Sequence, residues 1–242
     1  KKENMNLKSL ICYVVLGILL MGSGIVVSCD SFNEDLPECR LLVKFKYDYN
    51  MEFADAFHAQ VDKVELYIFD KDGKFMFKQA EEGSALSTGN YLMEVELPVG
   101  QYQFMAWAGA RDSYDITPLT PGVSTITDLK LKLKREASLI INKKMETLWY
   151  GEIIGVNFTG TEHQTETINL IRDTKIVRFG FQSYTGTWTL DMNDYDYEII
   201  ESNGHLGHDN SLQDDDVLLL YGAERSCYSF CGYEYNEVDG GS

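Results

Sequence analysis

What most constrains this chain is an alternation of apolar and polar residues that recurs from residue 41 onward. Leu41, Val43, Phe45 and Tyr47 alternate with Arg40, Lys44 and Lys46. Val64, Leu66 and Ile68 alternate with Lys63, Glu65 and Tyr67, and Tyr91, Met93, Val95 and Leu97 with Asn90, Glu94 and Glu96. Tyr102, Phe104, Ala106 and Ala108 follow the turn signal Pro98-Val99-Gly100, and Leu129, Leu131 and Leu133 alternate with lysines. Side chains on a strand point to opposite faces in turn, so this period marks half-buried antiparallel strands. Further strands fit 139–141, 165–171, 175–181, 197–200 and 217–221, whereas 50–60 reads as a short helix or an irregular crossover. Asp70-Lys71-Asp72-Gly73 and Ser202-Asn203-Gly204 supply turns. So many short strands bury their apolar faces by stacking two sheets. The expectation is an all-β chain of two tandem antiparallel β-sandwich domains, at 39–136 and 137–242.

A different pattern precedes them. Lys1, Lys2 and Lys8 lead into an uncharged, largely apolar run from Leu10 to Val27. That length suits the core of a signal peptide better than a membrane span. It ends at Val26-Val27-Ser28-Cys29, which resembles a lipobox: branched apolar residues, a small residue that admits the peptidase, then the modified cysteine. The expectation is a lipoprotein signal peptide over 1–28, cut between Ser28 and Cys29. S-diacylglycerol and an N-acyl chain then sit on Cys29, and 29–38 forms an acidic lipid-linked tether. Two or three acyl chains hold a protein on a membrane stably.

Charge and cysteines narrow the classes. The 242 residues carry a net charge of −17, and losing Lys1, Lys2, Lys8 and Glu3 with the leader makes it −19. Nucleic-acid binding needs a cationic field and is excluded as a class. Besides Cys29 the mature chain keeps Cys39, Cys227 and Cys231, too few for a disulfide framework; Cys227 and Cys231 could pair across a turn. No GxSxG, P-loop or HExxH motif is present, so no cofactor and no enzyme are expected. His205 and His208, with Asp209 and Asp214-Asp215-Asp216, are weak metal candidates in a segment that reads as a loop. Asp191 to Asp196 lacks the glycine and glutamate of a calcium loop. Tyr47, Tyr49, Tyr102, Trp107, Tyr114, Trp149, Tyr184 and Trp188 read as core, with a sugar-binding surface as the alternative.

The stretches Leu42 to Met51, Ala54 to Phe57 and Val61 to Asp70, together with Leu97-Pro98-Val99-Gly100-Gln101-Tyr102, Phe104, Ala106 and Trp107, resemble the fimbrial anchor lipoproteins of the Bacteroidota (the FimB/Mfa-like family of type V fimbriae). The leader ending at Cys29 fits the same family. The resemblance implies two transthyretin-like sandwiches, lipid attachment to the outer membrane at the fimbrium base, and anchoring and length control of the fimbria. It implies fimbrial subunits as partners, held by strand exchange. It also implies that Asp30, Ser31, Glu34 and Asp35 form a surface-export signal. Polymerising subunits of such systems lose their N-terminus after an arginine, and Arg40 is a position of that kind. Only about 100 residues follow the expected boundary, which points to a second domain shorter than the family pattern. The alternatives are a glycan-binding surface lipoprotein or adhesin, resting on Trp107 and Trp188, and, further off, a lipid-anchored hydrolase.

Overall fold

The computed structural model describes residues 39–135, 137–141, 143–177, 198–213, 219–221, 227–231 and 234–238. The expected signal peptide, Cys29 and the tether lie outside them. The strands are β1 (Leu41–Lys46), β2 (Lys63–Asp70), β3 (Phe75–Glu82), β4 (Met93–Val95), β5 (Gly100–Ala108), β6 (Tyr114–Ile116), β7 (Leu131–Leu133), β8 (Ile140–Ile141), β9 (Trp149–Phe158), β10 (Gln164–Arg172), β11 (Ile199–Glu201), β12 (His205–Leu206), β13 (Leu219–Tyr221), β14 (Cys227–Cys231) and β15 (Glu234–Val238). One helical turn, α1 (Phe57–Gln60), follows β1. The all-β expectation holds. Among the described residues no helix is long and apolar enough to cross a membrane.

Seven strands form one sheet in the order β3-β2-β5-β9-β10-β1-β4. It curls into a sandwich because β10 serves both walls. Its residues Gln164 to Asn169 pair in parallel with β1, while Leu170 to Arg172 pair antiparallel with β9. Leu41, Val43, Phe45, Met93 and Val95 on one wall meet Val64, Leu66, Ile68, Phe104 and Val156 on the other. Burying a side chain of this size stabilises by about 1.5–3 kcal/mol, so these alternate positions drive the closure.

The second face of β2, β5 and β9 is covered as well. Tyr67, Phe69, Met105, Trp107 and Tyr150 pack against Leu129, Leu131, Leu133, Ile141, Leu148, Leu206 and Leu219. Strand β2 is therefore buried on both faces rather than half-buried. Its one acidic residue there, Glu65, accepts the Tyr67 hydroxyl at 3.0 Å and pairs with Lys78 at 3.0 Å. A buried carboxylate without such partners would cost several kcal/mol.

The boundary expected at 136/137 is crossed by the sheet. β9 pairs with β5 and β10 with β1, and β12 beyond them joins β7. The reason lies in the core: Val156, Phe158, Ile168 and Leu170, all past residue 136, complete the interior that residues 41–108 begin. The first sandwich thus extends at least to Arg172. Cys227 and Cys231 both lie on β14.

Candidate functional site

The curl brings the two edge strands of the sheet, β3 and β4, face to face. The Gln79 side-chain amide donates to the Glu94 carbonyl at 2.9 Å, a side chain standing where a ladder of backbone bonds would run between neighbouring strands. The opening between them is a cleft of about 440 Å³ lined by Phe77, Gln79, Glu94 and Glu96. Met76, Phe77, Tyr91 and Leu97 are half-buried and pack against the main core from this side. Beyond Phe75, which is bonded to Ser124 and Gly122, no backbone bond leaves the outer edge of β3 among the described residues.

Local sequence explains the shape. β4 is three residues long because Gly89, in a left-handed turn at φ 78°, precedes it and Pro98 follows. The Tyr102 hydroxyl donates to the Pro98 carbonyl at 2.7 Å and fixes that exit. Across the cleft's upper end Tyr91 sits beside Glu81. Burial, with the neighbouring carboxylate, pushes the Tyr91 hydroxyl up to about 12, so it stays a donor at any physiological pH. Arg40, just before β1, pairs with Glu94 at 3.5 Å.

The outward backbone groups of two sheet edges, half-buried Phe77 and one bridging side chain thus lie together at this cleft.

The positions singled out in the sequence fall elsewhere. Ser28, Cys29, Asp30, Ser31, Glu34 and Asp35 lie outside the described residues, as do Tyr184, Trp188, Asp191 to Asp196 and Asp214 to Asp216. His205 is buried in β12, and His208 lies in the following turn, where the Ser211 hydroxyl and backbone hold Asp209 below the usual carboxylate range. No group of three potential metal ligands occurs among the described residues. Trp107 is buried against Tyr150, and Tyr47, Tyr102, Tyr114 and Trp149 are core residues too. Of the described aromatics proposed for a sugar surface, Tyr49 alone faces solvent. Asp70 caps its turn as expected, its carboxylate accepting from the Asp72 and Lys74 amides.

The family described as fimbrillin-A associated anchor proteins Mfa1 and Mfa2 matches residues 36–228, most of the chain and all of the cleft. The chain belongs to this family. The minor fimbrium anchoring subunit Mfa2 of Porphyromonas gingivalis is 25% identical over 232 residues, covering 92% of this chain and 69% of that protein. Among solved structures, a candidate polysaccharide-binding protein of Bacteroides thetaiotaomicron is 87% identical with a TM-score of 0.76, covering 78% of this chain and 66% of that one. A candidate adhesin of Bacteroides ovatus is 30% identical with a TM-score of 0.66, covering 79% and 64%. The chain thus spans about two thirds of the length of these solved structures. The names these relatives carry are of anchoring, adhesion and polysaccharide binding, not of catalysis.

Proposed function

We propose that this chain is an outer-membrane lipoprotein that holds a fimbrium to the cell surface and limits its length, receiving a strand of a fimbrial subunit in the cleft between β3 and β4. The observation that supports it most is that cleft: two facing sheet edges joined by the Gln79–Glu94 bond, in a chain of the fimbrial anchor family. Cleavage after Ser28 would leave Cys29 lipidated, and Asp30, Ser31, Glu34 and Asp35 would direct it to the surface. The tether then holds one end and the cleft holds the fimbria.

Two measurements test the two halves. A Gln79→Cys/Glu94→Cys chain, its other mature cysteines replaced by serine, can be joined across the cleft with a short thiol crosslinker. The joined form is expected to lose binding to a purified fimbrial subunit of the same organism, and the unjoined form to keep it; equal binding by both removes the cleft from the reading. In cells, Cys29→Ser is expected to leave the fold intact and to release the protein, with its fimbriae, into the medium. Cys29→Ser protein recovered with the outer membrane would show that something other than the lipid holds it.

A further inference from the structure

The two edges of the cleft turn different faces to it. On β3, Phe77 and Gln79 stand opposite Ile68 and Leu66, which belong to the core, so both lie on the inward face of the sheet. On β4, Glu94 alternates with the buried Met93 and Val95, and Glu96 follows at the same spacing. Both glutamates therefore lie on the outward face, where both are exposed. The cleft thus meets Phe77 on its core side and two carboxylates on its solvent side.

Those carboxylates are only partly offset. Arg40 reaches Glu94 at 3.5 Å, with both side chains about half exposed. Glu96 has no ion pair among the described residues. Lys78 stands between Phe77 and Gln79 but on the opposite face, where it pairs with Glu65 at 3.0 Å. The whole chain carries a net charge of −17, so the surrounding field adds to the attraction for cations.

We propose that the strand received in this cleft carries lysine or arginine at the outward positions beside Glu94 and Glu96, alternating with apolar residues, one of which rests on Phe77. This rests on the strand-exchange reading and says which strands the cleft selects. Neighbouring side chains on one face of adjacent strands lie within reach of each other; opposite charges there stabilise the pairing and like charges destabilise it. A strand with acidic outward residues would meet Glu94 and Glu96 directly, so the same two residues accept one class of strand and reject another. Opposite charge also speeds the encounter, because it steers the strand toward the cleft before any contact forms.

The test measures binding of a purified fimbrial subunit of the same organism to the full chain and to its Glu94→Gln/Glu96→Gln and Glu94→Lys/Glu96→Lys variants, at low and at physiological salt. Both residues are exposed, so melting temperatures should not move. The expected result is binding weakened roughly two- to thirtyfold by glutamine and further by lysine, with added salt weakening the parent more than either variant. The Gln79→Cys/Glu94→Cys chain keeps Glu96 in both its joined and unjoined forms, so comparing those two forms reads access to the cleft alone. Unchanged binding in both charge variants, with binding lost on crosslinking, overturns the basic strand and leaves strand exchange standing, as does tighter binding by the lysine variant. Weakened binding in the charge variants with no effect of crosslinking makes the carboxylates a surface contact and overturns strand exchange, and this inference with it. Self-association of the parent chain that the lysine variant loses overturns the fimbrial partner in favour of a second copy.

Discussion

Gly109→Val is expected to leave little folded protein. Gly109 follows β5 and turns at φ 74°, where its amide donates to the Lys63 carbonyl at 2.9 Å. A Cβ there would stand 2.0 Å from the Thr147 carbonyl oxygen and 2.8 Å from the Trp149 ring. Neither can withdraw: one is backbone, and Trp149 is buried edge-on to Tyr47 at 6.0 Å. The left-handed conformation costs a side chain roughly 1–2 kcal/mol, and forcing atoms into a filled core adds about 1–3 kcal/mol or more. Together they remove much of the 5–15 kcal/mol that holds a typical domain. Urea unfolding should show the loss, or the variant should accumulate as insoluble chain. Gly83 is the control, with φ 94° and nothing within 4 Å of where a Cβ would stand; there alanine should cost only the conformational part. Similar midpoints for the two variants would mean that the contact at Gly109 relaxes easily.

How far the fold can be read from the residues depends on the strand. β1, β2, β5 and β10 announce themselves by alternation, because each buries at least one full face. β9, paired on both sides in the middle of the sheet, does not. Gly151 and Gly155 interrupt its pattern, and Gly151 is there because a Cβ would lie 2.9 Å from Ala106 and 2.8 Å from Ile168. The residue that lets the strands approach is the one that hides the strand. With β9 hidden, the domain boundary falls too early, since the core this strand completes starts as far back as Leu41. The cleft is out of reach for another reason. Gln79 and Glu94 meet only because the sheet curls, and curl is a property of register rather than of composition. The aromatics divide similarly. Trp107 reads equally as core or as binding surface until the layer of β6, β7 and β12 is seen over it. Tyr49, Met51 and Phe53 lie at the stretch that reads as a short helix or an irregular crossover, and they face solvent on a loop held by Asn50 and Asp55. Cys29 is the reverse case: a lipobox-like motif in the sequence, lying outside the described residues.

Acidification should tighten one joint of this fold rather than loosen it. Asp173 follows β10, its amide bonded to the Leu148 carbonyl at 2.9 Å, and its Oδ1 accepts from the Asn210 side-chain amide at 2.8 Å. The other oxygens of the pair, Asp173 Oδ2 and Asn210 Oδ1, are buried without a partner among the described residues. Both are acceptors, and a proton on Asp173 Oδ2 turns one of them into a donor. Burial accordingly pushes the Asp173 carboxyl up to about 6, against the opposing pull of the Asn210 bond and Lys175. A carboxyl with a folded pKa above its unfolded value stabilises the fold fully below the unfolded value, near 3.8. That contribution is lost as pH rises through about 6. A shift of this size corresponds to roughly 3 kcal/mol. Asp48, Asp128, Glu146 and Asp209 are shifted down and act in the opposite sense, so whole-protein curves mix the two. The difference between the protein and Asp173→Asn isolates the joint. Asparagine keeps the oxygen that Asn210 donates to and adds the missing N–H donor at every pH. The variant should therefore be more stable than the parent at pH 8, by up to about 3 kcal/mol, with the gap closing by pH 4. Urea unfolding at half-unit steps between those limits measures it. Parallel curves across that range would show that Asp173 titrates as an ordinary surface carboxylate and that the pair is not the joint it resembles.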